Sequence, residues 1–337
     1  MIYKGSFGCP FHFRQERKMT ELHNFIDADT ILVSACMMSQ TNYVVYTKEG
    51  KRVSPAKSKK NWCELNPKKD PNDYNFVQEA TLIQKGFTPT ISICKSNVTA
   101  SIKRISDKYP DHKTWVCIEG EGNYRDDLYP YYKGNRNGEI LLRRELSQWV
   151  IDTFPRVIVS EGCETDDTVA TQMWKGHQDF LKTGVHTRMI SCCDKDLMTV
   201  AGKLYNYGKD KEHIIDELEA DRWFCTQLLY GDSTDNIKGI NNPLPEEFLK
   251  KYGVRANAKG VGEKTAAALV AGLEKSSDCF ERVIEAYREV YGDEWLPALQ
   301  EEAIALRMCH HDYEKKSGTH YKIENHLREL GINARDY

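Results

Sequence analysis

The chain predicts an α/β fold: a mainly parallel sheet with flanking helices, followed by a helical C-terminal region. Short apolar runs at residues 24–26, 114–118, 157–160 and 189–191 alternate with helical patterns, and such alternation implies parallel strands joined by crossover helices. Beyond Asp235 the pattern is almost wholly helical to the end. Eight acids in four places stand where these strands or helices end: Asp27; Glu164, Asp166 and Asp167; Asp194 and Asp196; Asp232 and Asp235. In an open α/β sheet the carboxyl ends of the strands converge on one crevice, so these acids are expected to meet.

Taken in order, residues 1–18 read as a poorly ordered arm, basic and aromatic, without the apolar stretch of a signal peptide. Residues 24–26 give a buried strand that leads into a helical pattern ending near Met38. Residues 43–53 read as a β-hairpin turning at Glu49-Gly50. Residues 54–73, rich in Lys, Pro and Asn, read as an exposed loop. A helix over 97–109 turns Ile102 and Ile105 inward, ahead of the strand at 114–118. An amphipathic helix over 140–154 precedes two strand–helix units: 157–160 with a helix from Thr165, and 189–191 with 196–201. Residues 216–230 form a further helix, and a glycine turn falls at 259–262.

At 337 residues the chain has room for one large domain with appendages or for two. Apolar content of 40% is slightly low, charged content of 29% slightly high, and the net charge of −3 alone does not favour nucleic acid. Eleven cysteines include no C-x-x-C pair, which argues against a zinc or dithiol site. The adjacent Cys192 and Cys193 read as reduced thiols. No apolar run is long enough to span a bilayer. A cytoplasmic protein without membrane contact is expected.

A single acid after a strand is most often a turn former or a helix cap. Four clusters are harder to explain that way, because three of them pair acids two or three residues apart and a cap needs only one. Hard oxygen ligands suit Mg²⁺ or Mn²⁺. Two such ions about 3.5–4 Å apart are a common device for in-line displacement at phosphorus. Metal-dependent phosphodiester cleavage is therefore the chemistry expected of the cluster.

Two further segments point to nucleic acid. Residues 123–136 mix cations (Arg125, Lys133, Arg136) with rings, Tyr132 among them, and so combine phosphate contacts with stacking on unpaired bases. Lys133 and Arg136 are three apart and on a helix would share one face, within reach of one scissile phosphate. At 259–270, Gly260 and Gly262 open a helix that carries Lys264 and Thr265. That arrangement offers backbone N–H groups to a duplex phosphate without reading bases.

In order and spacing, the motifs Ile-Asp, Tyr-Arg-Asp-Asp-Leu-Tyr-Pro-Tyr-Tyr-Lys-Gly-Asn-Arg, Glu-Thr-Asp-Asp, Asp-Lys-Asp-Leu, Gly-Asp-Ser-Thr-Asp-Asn-Ile and Gly-Val-Gly-Glu-Lys-Thr-Ala resemble the 5′→3′ exonuclease/flap endonuclease family. That family includes the 5′-nuclease domain of bacterial DNA polymerase I and stand-alone phage exonucleases. The resemblance runs from about residue 24 to about 273. It implies Asp27, Glu164, Asp166, Asp167, Asp194, Asp196, Asp232 and Asp235 as metal ligands. Lys133 and Arg136 match a helical arch that passes a single-stranded 5′ end, and Arg125 joins them as a candidate cation. Gly260, Gly262, Lys264 and Thr265 match a helix–three-turn–helix element, which in the family holds K⁺ against the duplex. Where the family has an Asp after the second strand this chain has Glu119, with Glu121 as alternative, and residues 236–260 carry an insertion with Pro243 and Pro245.

The resemblance implies an arm at 1–18, a catalytic domain at 19–230 with its arch at about 123–150, and a DNA-binding region at 231–337 with the glycine turn at 259–266. It further implies two Mg²⁺ ions, replaceable by Mn²⁺, and a monomer in the cytoplasm, that of the host if the chain is phage-encoded. The expected substrates are 5′ ends and flaps of DNA or RNA–DNA hybrids, cut to a 5′-phosphate and a 3′-hydroxyl. Asp27, Glu119, Glu164 and Asp166 would mainly hold one ion and Asp194, Asp196 and Asp235 the other, with Asp167 and Asp232 acting through water. An inactive nucleic-acid-binding relative and a PIN-type ribonuclease are the rival readings.

Overall fold

A computed structural model describes residues 21–37, 40–41, 43–56, 59–77, 81–82, 87–134, 140, 142–255, 261–311 and 321–337. The strands among the described residues are β1 (Leu22–Asp27), β2 (Gln40–Thr41), β3 (Tyr43–Thr47), β4 (Arg52–Ala56), β5 (Tyr74–Val77), β6 (Thr81–Leu82), β7 (His112–Glu119), β8 (Val157–Ser160), β9 (Arg188–Cys192), β10 (Gly202–Asn206) and β11 (Lys211–Ile215). The N-terminal helices are α1 (Asp29–Met37), α2 (Lys59–Leu65), α3 (Phe87–Lys108), α4 (Tyr124–Leu128), α5 (Arg143–Thr153) and α6 (Thr165–Thr183). The C-terminal ones are α7 (Glu217–Tyr230), α8 (Glu246–Lys251), α9 (Glu263–Val270), α10 (Ser276–Tyr291), α11 (Trp295–Leu306) and α12 (Ile323–Glu329). No helix among the described residues is long and apolar enough to cross a membrane.

Six strands form the main sheet in the order β11-β10-β9-β1-β7-β8, parallel except for β11. The chain builds outward from β1 through β7 to β8, then returns to place β9 on the other side of β1. That reversal is a topological switch point, and the crevice beyond the strand ends there is where ligands bind in open sheets. Side chains alternate across the sheet, as strand geometry requires. Ile26, Val116 and Ile118 face α1, α3 and α5 through Leu32, Ile105 and Leu146, whereas Phe25, Cys117 and Ile190 face α6 through Val169 and Met173. Helix ends are written locally. Asp216 accepts from Glu219 N at 2.7 Å to start α7, and Gly184 in the left-handed region ends α6.

The helical region after α7 has its own core. Phe224, Leu228 and Leu229 of α7 pack with Leu269, Phe280, Tyr287, Leu299 and Leu327, and Tyr129 and Tyr132 join from the other side. Each such apolar side chain contributes about 1.5–3 kcal/mol by its burial. Helix α7 thus contributes Phe224, Leu228 and Leu229 to this cluster and Ala220 to the one under the main sheet.

Three sequence expectations need correction. Residues 54–73 are not one exposed loop: they hold the end of β4 and all of α2, β4 and β5 flank β3 in a three-stranded antiparallel sheet, and Trp62 of α2 is buried against it. The ring of Trp62 lies 4.6 Å from Tyr74 and 5.3 Å from Phe76, so a few aromatics form a core in a stretch too polar to advertise one. Residues 196–201 hold only a short 3₁₀ turn, Asp196–Thr199, and the antiparallel hairpin β10–β11 after it was not anticipated. Lys133 is not helical. Helix α4 stops at Leu128, and the turns that follow place Lys133 at φ 50°. The arm at 1–18 and Arg136 lie outside the described residues.

Candidate acidic active site

The crevice at the switch point is a cavity of about 420 Å³. Among the described residues nine acids line it: Asp27, Asp29, Glu119, Glu164, Asp166, Asp194, Asp196, Asp232 and Asp235. Three bases, Lys133, Arg143 and Lys195, share the lining. The acids come from the ends of β1, β7 and β9, the starts of α1 and α6 and the turn after α7, whereas Lys133 follows α4, Arg143 opens α5 and Lys195 follows β9.

The local chemistry of these turns shows why acids stand there in pairs. Asp27 Oδ1 accepts from Asp29 N at 3.1 Å, Asp194 Oδ1 from Asp196 N at 2.8 Å, and Asp232 Oδ1 from Thr234 N at 2.7 Å. In each case the first acid folds the turn through its own carboxylate and so carries a following acid (Asp29, Asp196 or Asp235) into the cavity. The turn reading and the ligand reading of these acids are therefore compatible.

The turn after α7 is unusually tight. Asp232 and Ile237 exchange backbone hydrogen bonds of 2.8 and 2.7 Å. A Cβ on Gly231 would come 2.3 Å from Ile237 O, and one on Gly239 2.4 Å from Gly231 N, both at positive φ. Only glycine fits either position. Beneath the turn, Glu302 of α11 accepts from Gly239 N at 3.0 Å, while its other oxygen accepts from Tyr129 OH at 3.4 Å. Burial raises the Glu302 carboxyl to about 7.

The basic-aromatic segment is stitched to this turn. Lys133 N donates to Asp235 O at 2.9 Å, and Asn236 Nδ2 to Tyr131 O at 2.8 Å. Tyr132 OH lies 2.7 Å from Glu164 Oε2 and 3.1 Å from Asp235 Oδ2. The Lys133 ammonium pairs with Glu164 and stands 4.0 Å from Asp235. Tyr132 is buried, which makes it a brace between two acids rather than an exposed stacking platform.

Two expected site residues do not face the cavity. Arg125 is 0% exposed and forks onto Asp167, with Nη2 2.9 Å from Oδ1. Its remaining donors reach Ala305 O at 3.0 Å and Arg307 O at 2.7 Å, and Asp167 also accepts from Cys309 N at 3.1 Å. Burial alone would raise the Asp167 carboxyl, but the Arg125 guanidinium outweighs it and holds the group below the usual carboxylate range. The pair is an internal clamp between α6 and the chain after α11.

Three charged cavity residues were missed by sequence reasoning: Asp29, Arg143 and Lys195, the last between two expected acids. Asp29 accepts from Thr165 Oγ1 and, at 3.3 Å, from Glu119 N. Arg143 at the start of α5 pairs with Glu119 and lies 3.3 Å from Asp29. Asp29 follows Asp27 at the same i,i+2 spacing that marked Asp194 and Asp196, so its signal was available; Arg143 had none. Of the two candidates after β7, Glu119 lines the cavity, and Glu121 is exposed outside it. At the second expected site Gly262 precedes α9, with Lys264 exposed and Thr265 half-buried, and Gly260 lies outside the described residues.

The donor set suits a hard cation. Burial, then Asp29, pushes Asp27 up to about 8. Burial, then Asp194 and Asp232, does the same to Asp196, also to about 8. Burial followed by Asp27 and Asp194 lifts Asp166 well above the carboxylate range, and burial followed by Asp235 and Asp232 lifts Asp194. These are acids that resident cations leave undercompensated, and a divalent ion would bind their ionised forms. The chelate is not closed in advance: among the described residues no three His, Cys, Asp or Glu side chains stand ready to grip one ion.

No family model matches the chain. Solved structures similar to it include a bacteriophage T5 flap endonuclease in a complex with DNA and metal ions, at 15% identity over 63% of this chain and 90% of that one, TM-score 0.36. A second is a T5 5′-exonuclease mutant, at 14% identity over 63% and 93%, TM-score 0.34. A third is the catalytic core of Rad2 in complex with DNA substrate, at 12% identity over 92% and 87%, TM-score 0.39. Likeness this distant assigns no activity. The fold and the crevice themselves define an α/β protein with an oxygen-lined acidic pocket at its switch point.

Proposed function

We propose that the chain is a divalent-metal-dependent nuclease that hydrolyses phosphodiesters near 5′ ends of DNA. In this reading it acts as a 5′→3′ exonuclease and flap endonuclease that also accepts RNA–DNA hybrids, as a cytoplasmic monomer. One observation carries the reading: acids from separate chain segments meet at the switch point, among the described residues nine of them against three bases. The three described bases are too few to neutralise that set, and oxygen donors alone favour Mg²⁺ or Mn²⁺.

Asp27, Glu119, Glu164 and Asp166 would hold one ion and Asp194, Asp196 and Asp235 a second, with Asp232 shaping its turn. When bound, such ions supply an activated water and stabilise the leaving oxygen. The protein's own groups do the rest. Tyr132 fixes Glu164 and Asp235 relative to each other. Lys133, released from Glu164 as a phosphate enters, offsets charge developing on phosphorus, and Arg143 does the same from the Glu119 side. Asp167, with Arg125, serves as an anchor. The turn before α9, with Gly262, Lys264 and Thr265, would hold K⁺ against the duplex backbone.

Asp194→Ala is expected to abolish Mg²⁺-dependent cleavage of a 5′-labelled flap and a blunt duplex while leaving DNA binding largely intact. Undiminished cleavage by that variant would falsify the site assignment.

A further inference from the structure

The small antiparallel sheet inserted between α1 and α3 is rooted beside the crevice. Ser34 of α1 lines the cavity, α1 ends at Met37, and β2 pairs with β6 to close the root of the insert. The chain from Ser34 to Gln40 spans at most about 15 Å, given the rise of helical and extended residues. The insert also carries the opposite charge to its surroundings. Residues 43–77 hold eight Lys or Arg and four Asp or Glu, in a chain of net charge −3.

Lys51, Arg52, Lys59, Lys60, Lys68 and Lys69 are all exposed there, and among the described residues none of them forms an ion pair. Two are held in place by rings. Lys59 Nζ stands 5.3 Å from the centre of Phe76, and Lys69 Nζ stands 5.8 Å from Trp62 and 5.9 Å from Tyr74. Those rings face inward: Trp62 is buried, and Tyr74 and Phe76 are half-buried. Grips on single strands stack bases on exposed aromatics, and this surface offers cations instead. Cations without stacking platforms suit a regular array of phosphates, held without reading sequence.

We propose that this basic insert binds the phosphate backbone of the double-stranded part of the substrate beside the crevice. The choice of nucleic acid as partner rests on the nuclease reading above; the binding surface itself does not depend on cleavage.

The test uses the full chain in EDTA, with fluorescence anisotropy of a labelled blunt hairpin duplex and of a labelled oligothymidine. In one variant all six cations become Gln (K51Q, R52Q, K59Q, K60Q, K68Q, K69Q). In a second, the five lysines become Arg and Arg52 becomes Lys, which keeps every charge. The Gln variant should bind duplex about tenfold or more weakly, with a slope of log affinity against log salt shallower by about two or more. Its oligothymidine affinity should stay within twofold, and the charge-keeping variant should match wild type. Unchanged duplex affinity and slope would overturn the proposal, and so would equal losses on both DNAs or an equal loss in the charge-keeping variant. If the wild-type chain binds duplex through these cations yet cuts no phosphodiester, the nuclease reading fails and this one stands. If cleavage is normal and the Gln variant binds duplex as wild type does, only this one fails.

Discussion

Asp166 sits half-buried in the crevice, with Asp27, Asp194 and Glu164 all raising its pKa after burial itself. A carboxylate in that position weakens the metal-free fold and is useful only once a cation arrives. Asp166→Asn is therefore expected to stabilise the protein in EDTA, by roughly 1 kcal/mol or a melting point a degree or two higher, while abolishing cleavage. A lower melting point in EDTA would show that the crowding is not felt. At this scale much of the site was legible, because acids paired two or three residues apart exceed what a turn requires. Asp167 was read as a ligand acting through water for the same reason. Its sequence neighbourhood is that of a ligand, and only the fold reveals that its partner, Arg125, arrives from 42 residues away.

The strand–helix units of the main sheet were legible from short apolar runs. The insert and the β10–β11 hairpin were not. Trp62, Tyr74 and Phe76 make a core from scattered rings, and β11 lies on the sheet edge with Ile214 67% exposed, so neither leaves a periodic apolar stripe. The resemblance implied a helical arch for the basic-aromatic segment, yet Tyr129 and Tyr132 brace turns there instead. Between elements, the Arg125–Asp167 clamp joins α4 and α6 to the carbonyls that end α11. Arg125→Ala leaves Asp167 buried and unpaired, and should cost about 3–5 kcal/mol in urea denaturation. Replacing both residues, as Arg125→Met with Asp167→Leu, should recover most of that loss. A single variant no less stable than wild type would refute the clamp.

Across the whole molecule, Glu302 joins the C-terminal helices to the metal turn through Gly239 and to the basic-aromatic segment through Tyr129. Folding raises its pKa from 4.5 to about 7. The folded chain thus keeps a proton that the unfolded chain releases, and the stability tied to this group is lost as pH rises through that window. Glu302→Gln removes the titration. Measured by differential scanning calorimetry, the melting point of the variant relative to wild type should shift upward between pH 5 and pH 8; a pH-independent difference would refute the coupling. The place of β1 has a consequence in time as well. Of the described strands of this sheet, the earliest in chain order lies in its middle, with His23 paired to Lys113 on one side and Arg188 on the other. Local pairing cannot complete it, and loops of that length make closure slow. A ribosome must release the chain through β9 before β1 can find both its neighbours. Until then its apolar edges stay open, so new copies of this protein are most exposed to aggregation while they are still being synthesised.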